Sequence, residues 1–279
     1  MEAPFDRAAV RRHRDRAATT VGRVHDVLQE AAERLLDRLD DTTTRFQRAL
    51  DVGGRGVVAP LLRARGIATV ACDLSPRMAA LSGAPCVALD EELLPFAPAS
   101  FDLIVASLSL HWINDLPGAL IQLRAALAPD GLLLASVPAL GTLDGLRTAL
   151  GEAELALRDG TSPRVSPFPD LRDCAGLLQR AGFALPVVDA DEITLAYADP
   201  MAVLRDLRAA GESNAVRLRD RRIPPSSLFP LALSQLATRD GRVPVRLRLA
   251  MMTGWAPGPT QPQPARRGSG QVSLTEILE

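Results

Sequence analysis

From Arg48 onward, short unbroken apolar runs alternate with stretches whose apolar residues recur every three or four positions. The runs are RALDV (48–52), IATVAC (67–72), PCVAL (85–89), FDLIVASLSL (101–110) and GLLLASVPAL (131–140). Strands that are continuously apolar, rather than alternating, suit a parallel sheet covered on both faces. Helices between them give the βαβ rhythm of a doubly wound α/β fold. Helix boundaries agree with this reading. In DLSPRMAALS, Ser75 reads as an N-cap and Pro76 as the first helical residue, where its missing N–H costs nothing. In NDLPGALIQLRAALAPDG, Asn114 or Asp115 caps a helix striped by Leu116, Leu120, Leu123 and Leu127, and Pro129-Asp130-Gly131 ends it.

Residues 1–45 carry a helical stripe of Val24, Val27, Leu28, Ala31, Leu35 and Leu39. Beyond residue 140 the rhythm loosens. LRDCAGLLQRAGF (171–183) predicts a helix closed by Gly182, LPVVDADEITLAY a strand, 200–238 an Arg-rich helical stretch, and VRLRLAMMTGWA (245–256) a last strand. The expectation is one Rossmann-like α/β domain over 46–256, with a mostly parallel seven-stranded sheet, helices on both faces and a helical insertion at about 200–244. A tail rich in Pro, Gln, Gly and Arg, 257–279, is expected to be flexible.

Composition narrows the class. The chain has 279 residues, 47% of them hydrophobic, which is enough for one large α/β core. Its 32 basic residues, all Arg, nearly balance 33 acidic ones, so no strong field favours nucleic acid or an anionic membrane. Cys72, Cys86 and Cys174 lack metal-ligand spacing. The first two fall in apolar runs and are expected as buried thiols in a reducing cytoplasm. No apolar run reaches the roughly eighteen residues that span a bilayer. Glu2, Asp6 and Asp15 argue against a cleaved leader. A soluble bacterial cytoplasmic protein is expected.

The candidate chemistry lies at the strand ends. LDVGGRGVVAP (50–60) carries Asp51 at the end of the first run and turns through Gly53, Gly54 and Gly56 toward a helix. Open α/β sheets bind ligands at that edge, glycines let the backbone approach closely, and helix N-terminal amides offer donors. Asp73 follows Asp51 by 22 residues, near the ~20 expected of an acid that accepts from ribose hydroxyls. Asp90 and Glu91 follow the third run, where an acid can accept from an adenine amino group. For any one of these acids, turn capping or a solvated charge is the plainer reading. Acids after three successive strands converge on one edge, which favours an adenosyl pocket. Asp51 would repel a pyrophosphate and suits the amino and sulfonium groups of S-adenosyl-L-methionine, so that cofactor is expected. Leu74, just past the second run, and Ser107, within the fourth, complete the expected cofactor set.

Taken together, LDVGGRG, ACDLSPRM, LDEELLPFAPASFDLIVASLSLHWINDLPGAL and LAPDGLLLAS resemble class I S-adenosylmethionine-dependent methyltransferases of the methyltransferase 11 type. SLSLHWINDLPGAL, GTLDGLR, SPRVSPFPD, LLQRAGF, VDADEI, GESN, MMTGW and PARRGSGQVSLTEIL narrow the resemblance to the mitochondrial complex I assembly factor 5 family and its bacterial relatives. Malonyl carrier-protein methyltransferases share the LSLHW-type motif. The resemblance implies the methyltransferase fold, a cofactor loop at Asp51, Gly53, Gly54 and Gly56, a ribose contact at Asp73 and an adenine contact at Asp90. It implies one of three functions: methyl transfer to a protein or carrier-bound acceptor, hydroxylation of an arginine on the quinone-reducing subunit of complex I, or cofactor binding without turnover in assembly or regulation. Family members read acid-x-Gly-x-Gly-Arg-Gly. Here one position between Gly53 and Gly54 is missing, so a tighter turn with altered amide geometry is expected.

His111 and Trp112 follow the fourth run. His111 is the candidate general base and Trp112 a candidate wall of the acceptor site; packing beneath the next helix is the alternative for both. His13 and His25 are expected at the surface. With three His and no His-x-Asp/Glu pair, no iron-binding facial triad is visible, nor is a Gly-x-Ser-x-Gly nucleophile. Arg205, Arg208, Arg217, Arg219, Arg221 and Arg222 cluster in the insertion, either as a solvated helix face or as a docking surface for an acidic acceptor protein.

Overall fold

Seven strands, β1 (Arg48–Val52), β2 (Ala68–Asp73), β3 (Cys86–Ala88), β4 (Phe101–Ser107), β5 (Leu127–Pro138), β6 (Ala184–Tyr197) and β7 (Val243–Trp255), form one sheet in the order β3-β2-β1-β4-β5-β7-β6. The structure is a computed structural model and describes residues 3–158 and 160–262. PARRGSGQVSLTEIL and most of the expected tail lie outside the described residues. β1 to β5 pair in parallel, while β7 runs antiparallel to β5 and β6. The order reverses between β1 and β4, and the carboxyl ends on either side of that point open the crevice that such sheets use for ligands.

The helices are α1 (Arg7–Ala17), α2 (His25–Leu36), α3 (Val58–Ala64), α4 (Pro76–Ala80), α5 (Leu116–Ala126), α6 (Asp144–Leu157), α7 (Leu171–Arg180), α8 (Pro200–Ala209) and α9 (Leu228–Ser234). Side chains alternate across a strand, so β4 feeds both faces at once. Leu103 and Val105 join Leu35 and Leu36 of α2 and Leu62 of α3 in one core. Ile104 and Ala106 join Leu120 and Leu123 of α5 and Leu178 of α7 in the other. This double coverage is why the run read as continuously apolar. α1 enters the first core only at its last residue, Ala17. Its Ala9 and Val10 pack with Phe5, Trp112, Ala215 and Val216 instead.

Local signals placed the caps well. The Ser75 hydroxyl accepts from the Met78 N–H at 3.1 Å, with Pro76 opening α4, and Asp115 caps α5 by accepting from Gly118 at 2.9 Å. Three expectations need correction. β3 is a short edge strand whose residues are all exposed, Cys86 among them, because only β2 pairs with it. α5 gives way to β5 at Leu127, before Pro129-Asp130-Gly131; the turn residues fall within β5, and Asp130 takes a left-handed φ of 59°. The stretch 200–238 is not one helical segment. Only α8 and α9 are regular, and the chain between them passes Gly211 (φ +82°) and Pro224-Pro225, which withhold backbone donors. Among the described residues no helix is long and apolar enough to cross a membrane.

Leu103 is fully buried at the centre of the first core. Leu103→Ala is expected to lower unfolding free energy by about 2–5 kcal/mol, read as a lower urea midpoint at unchanged slope. A loss below about 1 kcal/mol would show that the site collapses around the cavity.

Candidate active site

Past β1 the chain turns through Gly53 (φ +68°) and Gly54 toward α3. A Cβ on Gly53 would lie 2.7 Å from that of Ser109, and one on Gly54 would fall inside the Asp51 carboxylate. Both glycines are therefore required by the close approach of the chain to itself. Asp51 is wholly buried beneath this turn. Its Oδ2 accepts from the Ala59 N–H at 3.0 Å, while Oδ1 has no partner. Burial, with repulsion from Asp73 added, pushes its carboxyl up to about 7 despite the Ala59 bond. Gly56 (φ +81°) lies against Leu81, away from the strand ends.

The remaining acids are met by arginines from α1. Arg7 and Arg14 are seven residues apart, about two turns, and so share a face of that helix. Arg14 Nη1 donates to Asp73 Oδ2 at 3.1 Å and to Glu91 Oε1 at 2.9 Å, and Nη2 donates to the Ser109 carbonyl at 3.3 Å. The side chains of Arg14, Asp73 and Glu91 are each only 1% exposed. Asp73 Oδ1 accepts from the Ser75 N–H at 2.8 Å, which fixes the start of α4. Arg7 donates to Asp90 at 2.6 Å and to Glu91, and to the Trp112 carbonyl at 3.3 Å. Of the two acids after β3, Glu91 is the buried one facing the cluster, and Asp90 is the rim residue. Buried charges persist only when paired. Burial raises the Asp73 carboxyl, though Arg14 opposes this; burial also works against the charge on Arg14, yet Asp73 and Glu91 hold its pKa above the ordinary value.

A single turn, Leu110–Trp112, follows β4 and presents His111. His111 Nε2 lies 2.7 Å from Glu212 Oε2, and the Trp112 indole N–H donates to the same oxygen at 2.7 Å. Arg55, from the glycine turn, donates to Glu212 Oε1. Burial disfavours the charge on Glu212, but His111 and Arg55 outweigh it and hold the carboxyl well below the usual range. An ionised carboxylate only accepts, so His111 donates through Nε2–H, and its Nδ1 is buried without a partner. Trp112 stands edge-on to Phe5 at 5.1 Å. These groups form one end of a 460 Å³ cavity whose walls include Leu146, Leu150, Phe168, Leu204, Phe229 and Leu247. That volume is typical of small-molecule sites.

The structure thus gathers Asp51, Gly53, Gly54, Asp73 and Glu91 at the strand ends, with Asp90 at the rim. Leu74 packs against the apolar group around Phe5 and Trp112. Ser107 ends β4 opposite Ser136. Sequence reasoning missed Arg7, Arg14, Arg55 and Glu212. The seven-residue spacing in FDRAAVRRHRDRAA was the available signal for the first two. His25 is exposed as expected, but His13 is half-buried, its Nδ1 3.0 Å from the Ser213 carbonyl. The insertion arginines are less free than expected: Arg205 pairs with Asp199, Arg219 and Arg221 with Asp6, and Arg222 with Asp220. Among the described residues no group of three or more His, Cys, Asp or Glu is placed to hold a metal.

An adenosyl cofactor needs hydrogen-bond acceptors at the ends of β2 and β3 and close backbone approach after β1. Asp73, Glu91 and the unpartnered Asp51 Oδ1 supply the acceptors and the Gly53–Gly54 turn the approach, so the residues fit. The guanidinium of Arg14 takes up Asp73 Oδ2 and Glu91 Oε1.

A carboxyl raised from about 4 unfolded to about 7 folded binds an extra proton in the native state between those pH values. Its contribution is therefore favourable at low pH and is lost as pH rises toward 7, at about 1.4 kcal/mol per pH unit in that window. Asp51→Asn removes this loss. The stability of the variant relative to the parent, followed by thermal unfolding, should rise between pH 5 and pH 8 by about 1–3 kcal/mol. A difference independent of pH would mean that Asp51 is already ionised at pH 5.

Comparison with known proteins agrees with this geometry. Residues 23–186 match the family described as "Methyltransferase domain". The chain is 37% identical to arginine-hydroxylase NDUFAF5, mitochondrial, of Danio rerio, covering 98% of this chain and 89% of that protein. The Homo sapiens protein of the same name is 38% identical over 89% of this chain and 75% of its own length. A malonyl-[acyl-carrier protein] O-methyltransferase of Halorhodospira halophila is 36% identical over 97% of this chain and 94% of that protein. Among solved structures, YcgJ of Bacillus subtilis has the same fold (TM-score 0.56, 13% identity, 81% of this chain and 99% of that one). Fold and sequence converge: the chain belongs to the methyltransferase-domain family, class I, whose cofactor is S-adenosyl-L-methionine.

Proposed function

We propose that the protein transfers a methyl group from S-adenosyl-L-methionine to a protein or carrier-bound acceptor in the bacterial cytoplasm, with the apolar part of the acceptor in the 460 Å³ cavity. One juxtaposition carries this reading: His111 and its partner Glu212 stand between the glycine turn and the apolar cavity. When bound, the cofactor supplies an electrophilic methyl group on its sulfonium. The chain supplies alignment and a place for the acceptor's proton. Asp73 accepts from the ribose hydroxyls, and Glu91, with Asp90 at the rim, faces the adenine. Glu212, held ionised by Arg55 and His111, fixes the imidazole so that Nδ1 is the proton acceptor. Apolar walls exclude water from the acceptor's end of the cavity.

A second reading has its own support, because the relatives at 37% and 38% identity are named arginine hydroxylases. In that reading the acceptor is an arginine of the quinone-reducing subunit of complex I, and the added oxygen comes from molecular oxygen with a two-electron reductant supplied from outside the chain.

Mass spectrometry of that subunit and of carrier proteins, from cells with and without the gene, separates the two. Gain of one methylene unit is the expected result; gain of one oxygen on arginine supports the second reading; no difference on either protein contradicts both. His111→Ala should lower kcat by about 10²–10⁴-fold with cofactor affinity unchanged, and full activity would remove His111 from the reaction. In isothermal titration, Asp73→Asn should bind S-adenosyl-L-methionine more weakly than the parent. Equal affinity would remove Asp73 from the cofactor site.

A further inference from the structure

We infer that Arg14 is an intramolecular competitor of the cofactor: its guanidinium holds the hydrogen-bonding positions on Asp73 and Glu91, and an adenosyl group binds by displacing it. This rests on the S-adenosyl-L-methionine reading above.

Four observations carry it. Arg14 is the largest fully buried side chain among the described residues, so it fills volume as well as pairing charge. The carboxylates of Asp73 and Glu91 are themselves buried, which leaves no room for a second molecule beside the ion pair. Both Asp73 oxygens are already engaged, Oδ1 by the Ser75 N–H and Oδ2 by Arg14, so a ligand donor approaching Oδ2 meets the guanidinium. Finally, an ideal Cβ on Gly53 would sit 3.4 Å from Arg14 Nη1, so the guanidinium also covers the turn that the cofactor must approach.

The exchange is reasonable in charge. Hydroxyls can replace N–H donors on the carboxylates, and the sulfonium and ammonium of S-adenosyl-L-methionine outweigh its single carboxylate. The incoming ligand therefore brings the positive charge that the outgoing guanidinium removes. Arg14 ties the second half of α1 to the strand ends through Asp73, Glu91 and the Ser109 carbonyl, beside the Ser75 hydroxyl on Asp15 at 2.5 Å and Ala17 in the first core. The first half has further ties of its own: Arg7 on Asp90 and Glu91, Phe5 on Trp112, the Asp6 N–H on the Ala215 carbonyl at 2.8 Å and Asp6 on Arg219 at 2.9 Å. Displacement of Arg14 should loosen one end of the helix and leave the other in place.

A ligand that must first displace a protein group binds with its intrinsic affinity reduced by the fraction of molecules in the open form. The test measures wild-type protein and Arg14→Gln by isothermal titration with S-adenosyl-L-methionine, and follows wild-type amide hydrogen exchange along α1 with and without that ligand. The expected result is binding in the wild type with faster exchange over residues 13–18 than over 7–10. Arg14→Gln should bind roughly tenfold tighter or more. Equal or weaker affinity in Arg14→Gln, or unchanged or slower exchange over 13–18 on binding, overturns the inference while leaving the cofactor reading intact. If neither protein binds, the cofactor reading fails and the inference fails with it. If Arg14→Gln does not fold, the wild-type exchange decides alone.

Discussion

Carboxylates buried at the end of a sheet must find positive charge, and in this protein that requirement organises the whole amino-terminal region. The reversal of strand order between β1 and β4 creates the crevice, and the chain lines it with Asp51, Asp73 and Glu91. Left unpaired, each would carry a desolvation penalty of several kcal/mol. α1 answers two of them with one fully buried guanidinium and adds a second arginine at the rim. Asp51 finds no such partner and responds by holding its proton more tightly. The position of α1 is set by this ionic contact, by a small apolar patch around Trp112 and by Ala17, its one residue in a main core.

Glu212 plays the corresponding part at the other end of the site. It lies in the irregular stretch after α8, and it receives the glycine turn through Arg55 and the turn after β4 through His111 and Trp112. One carboxylate thus ties together three segments that are remote in sequence. It also engages Nε2 of the imidazole and leaves Nδ1 without a partner. Gly211, with positive φ, lets the backbone just before Glu212 lie against α1, where a larger residue would meet Ala17 and Arg14.

Much of the scaffold was legible because the relevant signals are local. β1, β2 and β4 follow from continuous apolar runs, and α4 and α5 from their caps. The acids at the strand ends followed from the register of those runs. The misreadings share a cause. Cys86 looked buried because PCVAL is apolar, but an edge strand is covered by its neighbours rather than by its own composition. Arg14 looked like one charge among many in a basic helix, since its partners lie 59 and 77 residues away. Glu212 is 101 residues from His111, and the segment that holds it is irregular, so no periodicity announced it. Ion pairs closed by tertiary structure leave little trace in a one-dimensional pattern.

The central claim is that the acid-lined edge is an adenosyl site guarded by its own arginine. The most direct measurement is a crystal structure of the wild-type protein grown with S-adenosyl-L-methionine. The account predicts ribose hydroxyls on Asp73 and the Arg14 guanidinium withdrawn from both Asp73 and Glu91. A structure in which Arg14 still bridges those two acids while the ligand lies elsewhere, or the ligand is absent at saturating concentration, would contradict it.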